Sequence, residues 1–127
     1  AALERILYVE DDPGIRLVGK MALETVGGFR VHDCASGAEA LAVAGFAPQL
    51  LLLDVMMPGM DGIATLERLW QQPETAGVPA VFMTAKVQPE EIAQLRAAGA
   101  IEVIPKPFEP MTLAAQLRAI WACLPDA

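Results

Sequence analysis

Carboxylate, hydroxyl and ammonium side chains follow four of the apolar runs in this sequence. In chain order they are Glu10 and Asp11, then Asp54, Thr84 and Lys106. A charge beside buried apolar surface is costly unless a partner compensates it. Three converging carboxylates would raise one another's pKa, and Mg²⁺, which prefers oxygen ligands, would relieve their repulsion. With a lysine and a hydroxyl nearby, a carboxylate could act as the nucleophile toward a phosphoryl group.

The order of the elements predicts a fold that brings these residues together. Short apolar runs alternate with helical patterns five times, which indicates a (βα)5 unit. The expected strands cover residues 5–9, 29–34, 49–54, 79–85 and 101–104. Right-handed crossovers place helices on both faces of a parallel sheet, and functional residues lie at the carboxyl ends of its strands. We therefore expect an α/β fold with a doubly wound five-stranded parallel sheet and convergent carboxylates.

Capping residues and apolar repeats indicate the helices. Asp12 followed by Pro13 predicts a helix start, and Ser36 with Glu39 has capping-box spacing. A fourth helix is expected over residues 89–99, between a proline and a glycine. The apolar repeats predicted to face inward are Ile15, Val18 and Ala22, then Ile63, Leu66, Leu69 and Trp70, and finally Leu113, Leu117, Ile120, Trp121 and Leu124. The last repeat fits a core or an interface, and we favour the core.

Composition and charge argue against several classes of protein. The 127 residues are 54% hydrophobic, which fits one compact domain and argues against disorder. Sixteen acidic against nine basic residues argue against direct nucleic-acid binding. The sequence has no stretch long enough to span a membrane and no secretory signal, so we expect a cytoplasmic protein without membrane association. Cys34 and Cys123 are expected to be small packed hydrophobes in a reducing compartment.

Four motifs resemble, in order and approximate spacing, those of the receiver domain of two-component response regulators. They are ILYVEDDPGIR, LLLLDVMMPGMDG, VFMTAK and GAIEVIPKPF, and the resemblance covers essentially Leu3 to Cys123. It implies a flavodoxin-like sheet with strand order 2-1-3-4-5. We expect one receiver domain over residues 3–124 and no second domain in this chain. The domain either acts alone by binding partners or belongs to a larger regulator or hybrid kinase.

The resemblance also implies roles for the site residues. They are Asp54 as phosphoacceptor, Thr84 as the hydroxyl that contacts the phosphoryl group, and Lys106 as the cation that pairs with its oxygens. The implied ligands of Mg²⁺ are Asp11, Asp54, the backbone carbonyl of Met56, and Glu10 either directly or through water. The bond between Lys106 and Pro107 is expected to be cis, which requires an X-Pro sequence.

Other polar residues receive structural interpretations, and one position departs from the family pattern. Asp12 is interpreted as a helix cap, Arg16 as a surface ion-pair partner and His32 as a solvated residue of an edge strand. Val103 stands where many relatives carry Tyr or Phe, a ring that reports phosphorylation to the outer face. Without that ring, two possibilities are open. Either a shift of Thr84 transmits the effect of phosphorylation through the following loop and the fourth helix, or the domain mainly holds the phosphoryl group or passes it on.

The function implied is a phosphorylation-activated signalling switch. A sensor histidine kinase or a histidine phosphotransfer protein would supply the phosphoryl group, and the altered face would bind a downstream target or a second copy. The chain would catalyse only its own phosphorylation and dephosphorylation.

Two alternatives are less favoured. A Mg²⁺-dependent phosphatase with an aspartyl-phosphate intermediate would usually have a second aspartate where this chain has Met56. A pseudo-receiver, which binds partners without phosphorylation, would be favoured by loss of Asp11, Asp54 or Lys106, and all three are present.

Overall fold

Five parallel strands alternate with five helices in the computed structural model, which describes residues 2–125. The strands are β1 (Arg5–Val9), β2 (Arg30–Cys34), β3 (Leu50–Asp54), β4 (Ala80–Thr84) and β5 (Glu102–Pro105). The helices are α1 (Pro13–Met21), α2 (Gly37–Ala42), α3 (Gly62–Trp70), α4 (Pro89–Ala97) and α5 (Leu113–Ala122). A π-helical turn, Ala22–Val26, extends α1, and a 3₁₀ turn, Ala44–Phe46, follows α2.

The sheet has the order β2-β1-β3-β4-β5, and all neighbouring strands are parallel. The predicted architecture and strand order are therefore confirmed, and every predicted strand is correct to within one residue at each end. Val9 pairs with both Cys34 and Leu53, and Thr84 pairs with Pro105. This register brings the carboxyl ends of all five strands to one edge of the sheet.

The alternating leucines of β3 connect two hydrophobic cores. Leu50 and Leu52 belong to the core under α1 and α5, whereas Leu51 and Leu53 belong to the core under α2, α3 and α4. All four side chains are fully buried. A central parallel strand covered on both faces requires such a run, and each leucine contributes about 1.5–3 kcal/mol by its burial. Asp54 is therefore the last residue of a completely buried strand.

Of the apolar repeat predicted to face inward, Ala22 is buried as expected, and helix α1 begins where predicted. Asp12 caps it, since its Oδ1 accepts a hydrogen bond of 3.0 Å from the amide of Ile15. The prediction that Val18 faces inward is wrong, because its side chain is 44% exposed. Gly19 is buried instead, against the ring of Tyr8, where a β-carbon would clash with the phenol oxygen. The helix approaches the sheet closely at this glycine, and Val18, the residue before it, is left exposed.

The cap of α2 and the packing of α5 follow the sequence closely. Ser36 Oγ accepts a hydrogen bond of 3.2 Å from the amide of Glu39. The Glu39 carboxylate accepts one from the amide of Ala35, one residue before the position that a standard capping box uses. In α5, Leu113 and Leu117 are fully buried, which confirms the predicted core face. No helix within residues 2–125 is long and apolar enough to cross a membrane.

Candidate functional site

Three carboxylates converge where β1 and β3 end. One oxygen from each of Glu10, Asp11 and Asp54 lies within 4.8 Å of the others. Glu10 and Asp54 are almost completely buried, with 1% and 3% exposed, and Asp11 is half-buried. The group lines a cleft of about 250 Å³ at the carboxyl edge of the sheet. Clustered carboxylate oxygens are the donors that a hard divalent cation prefers, so these residues fit a metal ion.

Lys106 reaches the same cleft from the loop after β5. Its Nζ lies 2.7 Å from Oε1 of Glu10 and 3.2 Å from Oδ1 of Asp54. The backbone of Lys106 is held in turn, because its amide donates a hydrogen bond of 2.9 Å to the carbonyl of Thr84. The bond from Lys106 to Pro107 is cis, as predicted. The lysine is therefore fixed by β4 and faces both buried carboxylates.

Burial and charge alter the protonation equilibria in the cleft. Burial first, and then the negative charge of Glu10, raise the pKa of Asp54 to about 7, although Lys106 acts in the opposite direction. Burial by itself would lower the pKa of Lys106, but its hydrogen bond to Glu10 and the charge of Asp54 outweigh burial and raise it. The mutual repulsion predicted for the carboxylates is therefore present, and Lys106 compensates it only in part.

Thr84 and Met56 complete the wall of the cleft. The hydroxyl of Thr84 is buried at the end of β4 and accepts a hydrogen bond of 3.0 Å from the amide of Lys86. This bond ties the hydroxyl to the loop that leads into α4. The side chain of Met56 lies at the mouth of the cleft and is 58% exposed.

The connection from β3 to α3 holds Asp54 in place. The amide of Val55 donates to the carbonyl of Met83, and its carbonyl accepts from the amide of Gly62, at 3.1 and 2.9 Å. Gly62 packs so closely that a β-carbon there would clash with the carbonyl oxygen of Asp54. Asp61 caps α3 through a hydrogen bond of 2.8 Å from the amide of Ala64. The connection in this form therefore requires glycine at position 62.

Arg16 makes a contact that the sequence interpretation missed. The predicted ion pair exists, with Arg16 Nε 3.5 Å from Oδ2 of Asp33. In addition, Nη1 of Arg16 donates a hydrogen bond of 2.9 Å to the backbone carbonyl of Glu10. The available signal was its place in the first turn of α1, because helical side chains point back toward the helix start, and α1 starts just after Glu10.

His32 and the two cysteines lie outside the cleft. His32 is on the edge strand β2, where its ring makes an edge contact with Phe46 at 5.6 Å. Cys34 is packed as predicted, and burial raises the pKa of its thiol to about 12. The prediction for Cys123 is wrong, because this residue is exposed where α5 ends.

An apolar groove adjoins the acidic cleft. Its volume is about 500 Å³, and it lies between the start of α1 and the loop after β5. The groove and the cleft share Ile15, Ala85 and Lys106. The further groove residues are Gly14, Val18, Pro107 and Phe108.

A doubly wound domain with an acidic cleft and a half-buried lysine at the carboxyl ends of its strands defines the receiver class of signalling domains. The family model described as "Response regulator receiver domain" matches residues 6–118. The chain belongs to this family, and it is a receiver domain of two-component response regulators.

Individual relatives agree with this assignment. The DNA-binding response regulator MtrA of Mycolicibacterium smegmatis is 38% identical over 117 residues, which cover 91% of this chain and 50% of that protein. The DNA-binding dual master transcriptional regulator RpaA of Synechocystis is 33% identical, with 93% of this chain and 49% of that protein covered. The chain thus spans about half the length of the curated relatives it matches.

Solved structures show the same fold. The chemotaxis protein CheY4 of Vibrio cholerae superposes with a TM-score of 0.84 at 32% identity, covering 94% of this chain and 99% of that one. The signal receiver domain of a signal transduction histidine kinase from Syntrophus aciditrophicus gives 0.80 at 29% identity, covering 98% and 94%. Similar domains therefore occur in proteins with different outputs.

Proposed function

We propose that this receiver domain accepts a phosphoryl group on Asp54 and thereby switches its partner-binding surface. The observation that carries the proposal is the position of Lys106, 2.7 Å from Glu10 and 3.2 Å from Asp54, in a cleft that also contains Asp11. A nucleophilic carboxylate, a fixed cation and further oxygen ligands in one cleft are the groups that phosphoryl transfer to aspartate requires.

Each residue has a distinct task in this transfer. An oxygen of Asp54 attacks phosphorus as the bond from phosphorus to the donor's histidine nitrogen breaks, and the electron pair remains on the imidazole. Lys106 neutralises charge on the transferring group, and the Thr84 hydroxyl donates a hydrogen bond to it. Bound Mg²⁺, held by Glu10, Asp11, Asp54 and the Met56 carbonyl, would offset further negative charge. Hydrolysis follows when water attacks phosphorus and the Asp54 carboxylate leaves.

Release of the Lys86 amide is the proposed first step of the switch. The Thr84 hydroxyl accepts that amide's hydrogen bond in the structure, at 3.0 Å. When the hydroxyl turns toward a phosphoryl group it leaves this amide, which frees the loop before α4. Val103 has no ring to follow the movement, so the signal passes through this loop and the packing of α4. Phosphorylation then shifts a two-state equilibrium and does not create a new fold.

The proposed donor is a sensor histidine kinase or a histidine phosphotransfer protein. The apolar groove supports a protein donor, because it shares Ile15, Ala85 and Lys106 with the acidic cleft. A partner seated on the groove would therefore be next to Asp54. The proposed recipient is a downstream protein or a second copy of this chain, and the net charge of −7 argues against nucleic acid as a direct partner.

We place the functional unit at residues 3–124 and its activity in the cytoplasm. Within this proposal the domain catalyses only its own phosphorylation and dephosphorylation. Met56 stands where an aspartyl-phosphate phosphatase would need its acid–base group. Asp11, Asp54 and Lys106, whose loss would indicate a pseudo-receiver, all line one cleft.

The direct test is phosphorylation by a small-molecule donor. The purified chain, Asp54→Ala and Asp61→Asn are mixed with Mg²⁺ and acetyl phosphate, and intact masses are recorded promptly. Asp61→Asn is the matched control, because Asn also caps a helix and Asp61 caps α3 beside the cleft. We expect one added phosphoryl group in the wild type and the control and none in Asp54→Ala. Labelling of Asp54→Ala would contradict the site, and no labelling of any chain would favour a pseudo-receiver or strict dependence on a protein donor.

A further inference from the structure

Glu10 is held by partners from several parts of the fold. Its amide donates to the carbonyl of Cys34 at 3.0 Å, and its Oε2 accepts from the amide of Asp12 at 3.2 Å. Lys106 contacts its Oε1, and Arg16 contacts its backbone carbonyl. The Arg16 contact acts on the peptide group between Glu10 and Asp11. It therefore bears on the orientation of both acidic residues from the side of α1, and the bond from the Asp12 amide to Oε2 of Glu10 holds the peptide on the other side of Asp11.

We propose that Arg16 is a positioning residue for the cation site formed by Glu10, Asp11 and Asp54, an inference that rests on the proposed function. The peptide that follows Glu10 has two rigidly linked ends, its carbonyl oxygen and the amide of Asp11. Fixing the oxygen with Nη1 of Arg16, at 2.9 Å, therefore restricts the backbone that carries the Asp11 carboxylate. Asp11 is the most exposed of the three carboxylates, so its side chain has the most conformational freedom, and its orientation depends most on a fixed backbone.

The guanidinium group is itself held in position. Arg16 Nε faces Oδ2 of Asp33 at 3.5 Å, while Oδ1 of the same carboxylate lies 3.1 Å from Nζ of Lys20. The Arg16 side chain is only 22% exposed. A planar guanidinium can direct one N–H toward a carbonyl and another toward a carboxylate, whereas a lysine ammonium cannot maintain that fixed geometry. Asp33 thus orients Arg16, and Arg16 orients the turn after β1.

The effect on the cation should be large, although Arg16 is not a ligand. Mg²⁺ demands near-octahedral geometry and tolerates small displacements of its ligands poorly. Residues that orient metal ligands typically alter metal affinity by about 10–100-fold when they are replaced. Electrostatics predicts the opposite sign, because removing a positive charge near three carboxylates should strengthen cation binding. The direction of the change therefore distinguishes positioning from a simple effect of charge.

The experiment compares Mg²⁺ dissociation constants of the wild type, Arg16→Met, Arg16→Lys and Lys20→Met by titration calorimetry, with thermal unfolding recorded for each. Lys20 also belongs to α1 and also pairs with Asp33, so Lys20→Met removes the same charge as Arg16→Met. It leaves the contact between Arg16 and the carbonyl of Glu10 intact. We expect the dissociation constant to rise about tenfold in Arg16→Met and about threefold in Arg16→Lys, and to stay within about twofold or fall in Lys20→Met. Arg16→Lys also provides the test if Arg16→Met does not fold.

Equal affinities of Arg16→Met and Lys20→Met, or tighter binding by Arg16→Met, would overturn the inference. A loss of melting temperature without a change in Mg²⁺ affinity would show a merely structural role and would overturn it as well. Failure of the proposed function looks different, because the wild type would then neither bind Mg²⁺ nor gain a phosphoryl group. That result would remove the cation site and this inference with it.

Discussion

Lys106 and Glu10 form an ion pair of 2.7 Å although they are 96 positions apart in the chain. Glu10 is 1% exposed and the Lys106 side chain 16%, so the pair is largely removed from water. The same ammonium lies 3.2 Å from Asp54, which connects the ends of β1, β3 and β5. One lysine therefore compensates two buried carboxylates, and four consequences of this and of the surrounding contacts can be measured.

Replacement of Lys106 by Met should destabilise the metal-free chain by roughly 2–4 kcal/mol, because it leaves two buried carboxylates without their cation. Urea unfolding in the presence of a chelator measures this change. Added Mg²⁺ should restore more stability to the variant than it adds to the wild type, since the cation then meets no competing ammonium. Lys86→Met is the control, because Lys86 is exposed and its side chain forms no ion pair within residues 2–125. Equal loss of stability in both variants would refute the central role of Lys106.

Replacement of Asp54 by Asn should stabilise the metal-free chain at pH 8. The pKa of Asp54 is about 7 in the folded chain against an ordinary 3.8, so the folded state binds more protons between these values. Protonated Asp54 makes its full contribution to the free energy of unfolding below about pH 4. That contribution is lost as the pH rises through 7. The neutral Asn avoids that loss, which is on the order of 4 kcal/mol for a pKa that rises from 3.8 to about 7.

Thermal unfolding from pH 4 to 9 measures this difference. The gap in melting temperature between Asp54→Asn and the wild type should widen up to pH 7 and stay constant above it. A gap that does not depend on pH would contradict the raised pKa. Saturating Mg²⁺ should narrow the gap, because it stabilises the carboxylate of the wild type alone.

Replacement of Gly62 by Ala should both destabilise the fold and weaken cation binding. The new β-carbon meets the carbonyl oxygen of Asp54, so the backbone at the end of β3 must move. Overpacking of this kind costs about 1–3 kcal/mol. Gly45→Ala is the matched control, because a β-carbon at Gly45 would meet open space. A Gly62→Ala chain with the stability and Mg²⁺ affinity of the wild type would show that the close contact is unimportant.

Phosphorylation should accelerate hydrogen exchange at the amide of Lys86. In the structure this amide donates to the Thr84 hydroxyl, and the proposed switch removes that acceptor. Exchange measured with excess acetyl phosphate and Mg²⁺ should increase by about fivefold or more over the unphosphorylated chain. In Thr84→Ala the amide should exchange rapidly in both states. Unchanged protection of Lys86 in the phosphorylated wild type would mean that the signal leaves the site by another route.

Much of this protein follows from local patterns in its sequence. The leucine run of β3, the cap at Asp12 and the alternation of strands and helices predict the elements, because burial period and capping depend on neighbouring residues. The family motifs then place Glu10 and Asp54 at adjacent strand ends. The fold and the composition of the acidic cleft are thus predictable from the sequence.

Tertiary packing decided the remaining features. Gly19 is the residue of α1 that lies against the ring of Tyr8, whereas Val18 is exposed, although the helical pattern alone predicts it to be buried. The contact of Arg16 with the Glu10 carbonyl depends on how α1 sits above β1. Helical periodicity fixes which residues share a face, but not how far the helix is rotated on the sheet. That rotation is set by side chains from distant parts of the chain, which only the folded structure brings together.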